Sequence, residues 1–193
     1  EIKDRLCYTG YISPPAPQSW PKRKKQILVS QGGGNVGREL LEGAIGAAAL
    51  MPDYSFLLAT GSRTTSAEID ELRKTVRSKN VEIKPFLPDF QWHLMESAVS
   101  ICMGGDNTLL DVITARTPTL AYPYQGNSEQ GFRIKKFAEK GLIQELGVAD
   151  LMPERLKEKI ELALKAPYPT KSIAVNGAFV TSEKIKAVLA QTA

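Results

Sequence analysis

From Gln26 onward, short runs of β-branched and aliphatic residues alternate with longer stretches whose apolar positions recur every three or four residues. The runs Gln26–Ser30, Tyr54–Ala59, Val81–Lys84, Val99–Met103 and Thr119–Tyr122 are too short for stable helices and are bounded by Gly, Pro or polar residues, which predicts five strands. Between them, Leu40, Leu41, Ala44, Ile45 and Ala48 share one face of a helix from about Arg38 to Leu50. Ile69, Leu72 and Val76 mark a second, for which Thr65 and Glu68 form a capping box. Leu109, Leu110 and Ile113 define a third, and a fourth runs from about Ser128 to a C-terminal Gly141. Pro153 suits the first position of a fifth helix with Leu156, Ile160 and Leu164, and Ser182 is the expected cap of a last one with Ile185, Val188 and Leu189. The segment FQWHLMES, residues 90–97, reads as a further amphipathic helix.

Strands that alternate with helices are covered on both faces, so the expected fold class is α/β, a Rossmann-like doubly wound parallel sheet. Residues 1–25 break the pattern. An apolar patch from Leu6 to Ile12 is followed by Pro14, Pro15 and Pro17 and then the basic run Lys22–Lys25, read as a solvated connector into a domain spanning residues 26–193.

Composition changes this picture little. With 42% hydrophobic and 24% charged residues in 193, the chain fits one ordinary domain. The Ala-rich stretch ending at Met51 is interrupted by Glu42 and Gly46, so no apolar run is long enough to span a bilayer. The chain opens at Glu1 without a signal-peptide pattern and is read as a fragment of a cytoplasmic protein. Cys7 and Cys102 are too far apart to suggest a metal knuckle or a disulfide scaffold. A formal charge of +4 favours an anionic partner. Nucleic acid is disfavoured because no aromatic residues interleave with the basic run as a stacking surface.

In an open parallel sheet, ligands bind beyond the carboxyl ends of the strands, and three loops there are unusual. The first, Ser30–Gly37, reads SQGGGNVG and opens into a helix, so backbone N–H groups and the helix dipole around Gly32, Gly33, Gly34 and Asn35 suit a phosphate. Gly32, Gly34 and Gly37 also satisfy GxGxxG, yet the second strand ends in Ala59-Thr60-Gly61-Ser62-Arg63, without the acid a dinucleotide ribose needs. Arg63 keeps an NADP site open as an alternative, as does a tight turn with no ligand. The second loop is Gly104-Gly105-Asp106-Asn107-Thr108, with Asp111 three residues beyond. Thr108 and Asp111 then share a helix face, one able to donate to a phosphate oxygen and the other to accept from vicinal hydroxyls; Asp111 is equally an acid favoured by the helix dipole. In the third loop, Tyr122–Gln130, Glu129 and Gln130 offer an acceptor and a mixed pair suited to a hexose, while Asn127 with Gln130 alone would be a helix cap.

The stretch from about Ile27 to Leu146 resembles the C-terminal domain of GT-B fold glycosyltransferases. It is most similar to the branch that includes the N-acetylglucosaminyltransferase of peptidoglycan lipid synthesis, chiefly over FLPDFQWHLMESAVSICMGGDNTLLDVITARTPTLAYPYQGNSEQ, Phe86 to Gln130. The resemblance implies that Asp111 holds the donor ribose and that Gly105 to Thr108 form the diphosphate-binding turn. It further implies that the backbone around Phe86 and Leu87 faces the nucleobase, that the GGGN turn approaches the phosphates and that Glu129 and Gln130 contact the sugar. Tyr8-Thr9-Gly10-Tyr11 looks like the segment joining the two halves of such an enzyme. Two positions depart from the pattern: Met103 stands where many relatives carry His or Arg, and Gly131 where some have a second Gln.

The expected function is therefore donor binding in a glycosyltransferase that moves a hexose-type sugar from a nucleoside diphosphate, with UDP the expected nucleotide, to an unidentified acceptor. An NADP-dependent oxidoreductase, a nucleotide-sugar epimerase of the same fold and a subunit that only recruits a partner are the alternatives. His93, the sole histidine, is expected to be structural, and the general base to lie in an N-terminal acceptor-binding domain outside this chain. No catalytic residue is assigned within the chain, no cofactor is required beyond the sugar donor, and no DxD-type acidic pair calls for a metal, with magnesium at the phosphates left open as an alternative. A lipid-linked acceptor, with peripheral attachment to a membrane, is compatible with this reading.

Overall fold

The computed structural model describes residues 5–15, 18–33, 36–168 and 173–192, with side chains described as far as Ala190. Among these residues six strands, β1 (Lys24–Ser30), β2 (Ser55–Ala59), β3 (Val81–Lys84), β4 (Ser97–Met103), β5 (Thr119–Tyr122) and β6 (Gln144–Glu145), form one sheet in the order β3-β2-β1-β4-β5-β6. Every pairing is parallel. The order reverses between β1 and β4, which creates the crevice where doubly wound sheets place their ligands.

The α-helices of the described residues are α1 (Arg38–Ala49), α2 (Ser66–Thr75), α3 (Phe90–Glu96), α4 (Asp106–Thr114), α5 (Ser128–Glu139), α6 (Pro153–Lys165) and α7 (Gly177–Thr192). Successive β1 side chains face opposite layers, as the period of two requires. Ile27 and Val29 join Leu40, Ala44, Leu156 and Ile160 in a core with α1 and α6, while Leu28 joins Leu94, Leu109, Ile113 and Phe137 in a core with α3, α4 and α5. Cys102 lies within the second core, where burial pushes its thiol pKa up to about 12.

The helix signals hold in detail where local chemistry is strong. Thr65 and Glu68 form the reciprocal capping box of α2, Pro153 opens α6, and Gly141 beyond α5 takes the left-handed φ of 72°. The last helix differs. It begins at Gly177, so Ser182 is interior and caps nothing, and Ile185, Val188 and Leu189 are exposed rather than forming a buried face. Apolar periodicity sets which residues share a face, whereas burial needs another element to cover that face.

The basic run is also not a plain connector. Lys24 and Lys25 belong to β1, Lys24 pairs with Glu96 at 2.6 Å, and Arg23 donates to the Arg116 carbonyl. The lead-in before it is tied to the domain: Tyr11 N donates to Ala174 O at 2.9 Å, and the Tyr11 ring meets Phe137 edge-on with centroids 5.7 Å apart. Trp20 Nε1 donates to Ala115 O at 3.0 Å. The two-residue strand β6 escapes a pattern-based reading because it is shorter than any window in which alternation can be recognised.

Candidate functional site

Register places the ends of three strands side by side: Ser30 of β1 pairs with Ala59 of β2 and with Cys102 of β4. The loops leaving these strands therefore emerge at one level. Gln31 N donates to Ala59 O at 3.3 Å, its Nε2 donates to Thr64 Oγ1 at 2.9 Å, and Thr64 Oγ1 donates in turn to Thr60 O at 2.7 Å. The Gly-rich loop is thereby locked onto the loop after β2. Their closest approach is at Gly61, whose φ is +88°; a Cβ there would lie 2.1 Å from Gly32 O. No side chain fits at that position, so it cannot carry the acid of a dinucleotide site.

Above these ends lies a hollow of about 180 Å3. Ser30, Gly32 and Gly33 form one wall, Gly61 and Ser62 a second, Pro85 with Phe86, Leu87 and Phe90 a third, and Thr108 of α4 the fourth. Five residues singled out by the sequence, Gly32, Gly33, Phe86, Leu87 and Thr108, thus meet around one space although they come from three separate loops. Gly34 and Asn35 lie outside the described residues. Ser62, Pro85 and Phe90 carry no sequence signal as site residues, since nothing local distinguishes them from ordinary loop residues.

Both helices at the switch point begin without a side-chain cap: Gly37 precedes α1 and Gly105 precedes α4. Their first-turn N–H groups are thus not taken by a capping side chain, in contrast to α2 and α5, which Thr65 and Asn127 cap. Space is open where a Gly105 side chain would stand, so an anion could approach α4 there. Gly104 is buried and contributes to packing instead. A Cβ there would lie 2.7 Å from Ile134 Cδ1 and 3.1 Å from Gln130 Cβ, so its absence lets α5 pack on the turn. Asn107 is exposed on the first turn of α4.

Asp111 stands one turn behind Thr108 and is not part of the wall of the hollow. Its carboxylate is partly buried, and burial raises its pKa above the ordinary aspartate value. Among the described residues neither its side chain nor the Thr108 hydroxyl has a hydrogen-bond or ion-pair partner. A partly desolvated acceptor of this kind is suited to hydroxyl donors from a ligand.

Glu129 and Gln130 part company. The Gln130 Oε1 accepts from Tyr124 N at 3.0 Å and so closes its own loop, leaving only the amide N–H2 to face outward. Glu129 is exposed and borders a second hollow, along α5, with Asp106, Phe132 and Arg133. His93 lies on α3 and borders neither hollow. Met103 is buried, its thioether lying against Gly37 at the start of α1.

Residues 28–186 match the glycosyltransferase family 28 C-terminal domain. An uncharacterized glycosyltransferase of Methanosarcina mazei is 26% identical over 121 residues, which cover 63% of this chain and 31% of that protein. Among solved structures, MurG of Acinetobacter baumannii superposes with a TM-score of 0.66 at 19% identity, over 86% of this chain and 51% of its own. The glycosyltransferase VinC, solved in complex with dTDP, does so with a TM-score of 0.58 at 21% identity, over 82% and 37%. The chain spans about half or less of the length of each of these proteins.

Proposed function

The chain belongs to the glycosyltransferase family 28 C-terminal domains, and from that premise we propose that it is the donor-binding half of an enzyme that transfers a hexose-type sugar from a nucleoside diphosphate. The observation that carries this reading is the hollow at the β1/β4 switch point, where the Gly-rich loop, Phe86, Leu87 and Thr108 converge. The nucleobase lies against Phe86 and Leu87, and the ribose hydroxyls donate to Asp111. The diphosphate bridges Gly32–Gly33, the adjoining Gly34 and Asn35, and the Gly105–Thr108 turn. Glu129 and the Gln130 amide reach the sugar.

Cleaving the bond between the anomeric carbon and the diphosphate leaves negative charge on the departing phosphate. Uncapped N–H groups at α1 and α4, with the Thr108 hydroxyl, are fixed before the reaction and stabilise that charge as it develops. Proton removal from the acceptor needs a base within hydrogen-bond reach, and this reading assigns it to an N-terminal acceptor-binding domain. The dTDP bound to VinC suits the same diphosphate chemistry; UDP is the first nucleotide to test here.

A thermal-shift panel of UDP, dTDP, GDP and NADPH tests the proposal. One or more nucleoside diphosphates should raise the melting temperature, NADPH should not, and Asp111→Ala should abolish most of the shift. Protection by NADPH alone would move the chain to the oxidoreductase reading.

A further inference from the structure

A donor diphosphate brings negative charge to the turn before α4, and the last residue of β4, Met103, is a buried thioether that offers no positive charge to meet it. The geometry points to Arg133 of α5 as the residue that neutralises the diphosphate, with Asp106 holding it at the turn while no donor is bound. This inference rests on the nucleotide-sugar reading above.

Arg133 Nη1 donates to Gly104 O at 3.1 Å, and its Nε pairs with the Asp106 carboxylate. The guanidinium therefore touches the diphosphate turn from a neighbouring helix. Its approach is fixed by packing: only because residue 104 lacks a Cβ can Ile134 and Gln130, the neighbours of Arg133 on α5, lie against that turn. A guanidinium has five N–H donors, and these two contacts engage two of them. The Nη2 donors have no partner among the described residues and are free to meet a phosphate. Arg63 sits on the loop after β2, two strands from β4, and two other cations near this end of the sheet are committed elsewhere. Lys136 pairs with Glu139 at 2.9 Å, and Arg38 pairs with Glu42 at 2.7 Å.

Asp106 occupies the first position of α4 and is the more exposed partner, at 59% against 21% for Arg133. Its carboxylate holds, at the uncapped helix start, the place that suits an anion. A bound diphosphate competes with it for the guanidinium, so the two residues have opposite effects on the donor although they form one ion pair.

That opposition supplies the test. Binding of UDP, dTDP and GDP, each beside its parent nucleoside, is measured for the wild-type chain and for Arg133→Gln, Arg133→Lys and Asp106→Asn. Arg133→Gln should weaken the preferred nucleoside diphosphate by about tenfold or more and leave the nucleoside unchanged. Arg133→Lys should fall between, since it keeps the charge and loses the fork. Asp106→Asn should tighten the diphosphate a few-fold. If Arg133→Gln fails to fold, the signs for Arg133→Lys and Asp106→Asn still decide. Equal weakening by Arg133→Gln and Asp106→Asn, or an unchanged ratio of diphosphate to nucleoside affinity in the Arg133 variants, would show a purely structural pair and overturn the assignment. Should wild type bind none of the three diphosphates, the donor-binding proposal itself falls, and this assignment with it.

Discussion

Asp111 concentrates the tension between stability and function in a single side chain. Its pKa is raised by burial, so the carboxyl favours folding while protonated, and that contribution is lost as pH rises from the ordinary aspartate value, about 3.9, through the higher folded value. At neutral pH the ionised group is held partly out of water without a described partner. Asp111→Asn should therefore melt at a higher temperature than wild type at pH 7, and the difference should shrink as pH is lowered toward 4 in parallel melting curves. The same variant should bind nucleoside diphosphates more weakly, because a neutral amide is a poorer acceptor for two hydroxyls. A lower melting temperature at pH 7 would mean that Asp111 has a stabilising partner. Sequence spacing placed this acid one helical turn behind Thr108, on the same side of α4; its partial burial depends on what packs around the helix and could be learned only from the fold.

At the scale of elements, the site depends on where helices start and on what fixes the strands beneath them. Asn80, just before β3, turns Nδ2 toward Ala48 O, Met51 O and Tyr54 O at 2.8–3.0 Å, its two N–H groups shared among the three carbonyls, and so fastens the end of α1 to the start of β2. Its neighbour β2 carries the loop that Gln31 locks to the Gly-rich turn. Asn80→Ala should cost about 2 kcal/mol, from lost bonds and unsatisfied carbonyls. Asn80→Asp should cost more in urea unfolding at pH 7, since it sets an anionic oxygen against three carbonyls. An Asp variant as stable as the Ala variant would show that the carbonyls are met by solvent. Helix starts with a Ser, Thr, Asp or Asn side chain announce themselves in sequence, as Thr65 and Asn127 do. The uncapped starts of α1 and α4 were legible for another reason, the glycines preceding them. Where neither signal is strong the start goes astray: the serine within α7 is not its cap, because the chain entering that helix is held by Tyr11, which accepts from Gly177 N at 2.9 Å.

For the whole molecule, the order β3-β2-β1-β4-β5-β6 makes one crevice and leaves one set of loop ends around it. A donor grip alone does not deprotonate an acceptor, so the 193-residue chain by itself should bind a nucleoside diphosphate and show negligible sugar transfer. Transfer should appear when an N-terminal acceptor-binding half is supplied on the same polypeptide or in trans, measured by product formation from a labelled donor; robust turnover by this chain alone would refute the division of labour. No helix among the described residues is long and apolar enough to cross a membrane. The sequence by itself determined the parallel α/β sheet, the helix faces of α1 and α6, and three loops at the strand ends rich in glycine and hydrogen-bonding side chains, because these depend on residue spacing within about a dozen positions. Only the tertiary structure decided that Gly61 must lie against Gly32, that Gly104 yields its place to α5, that Gln130 Oε1 is spent on its own loop, and that Arg133 reaches the Gly104 carbonyl. Each of these joins residues held together by packing across the sheet, and the period of a single element carries no information about its neighbour's register.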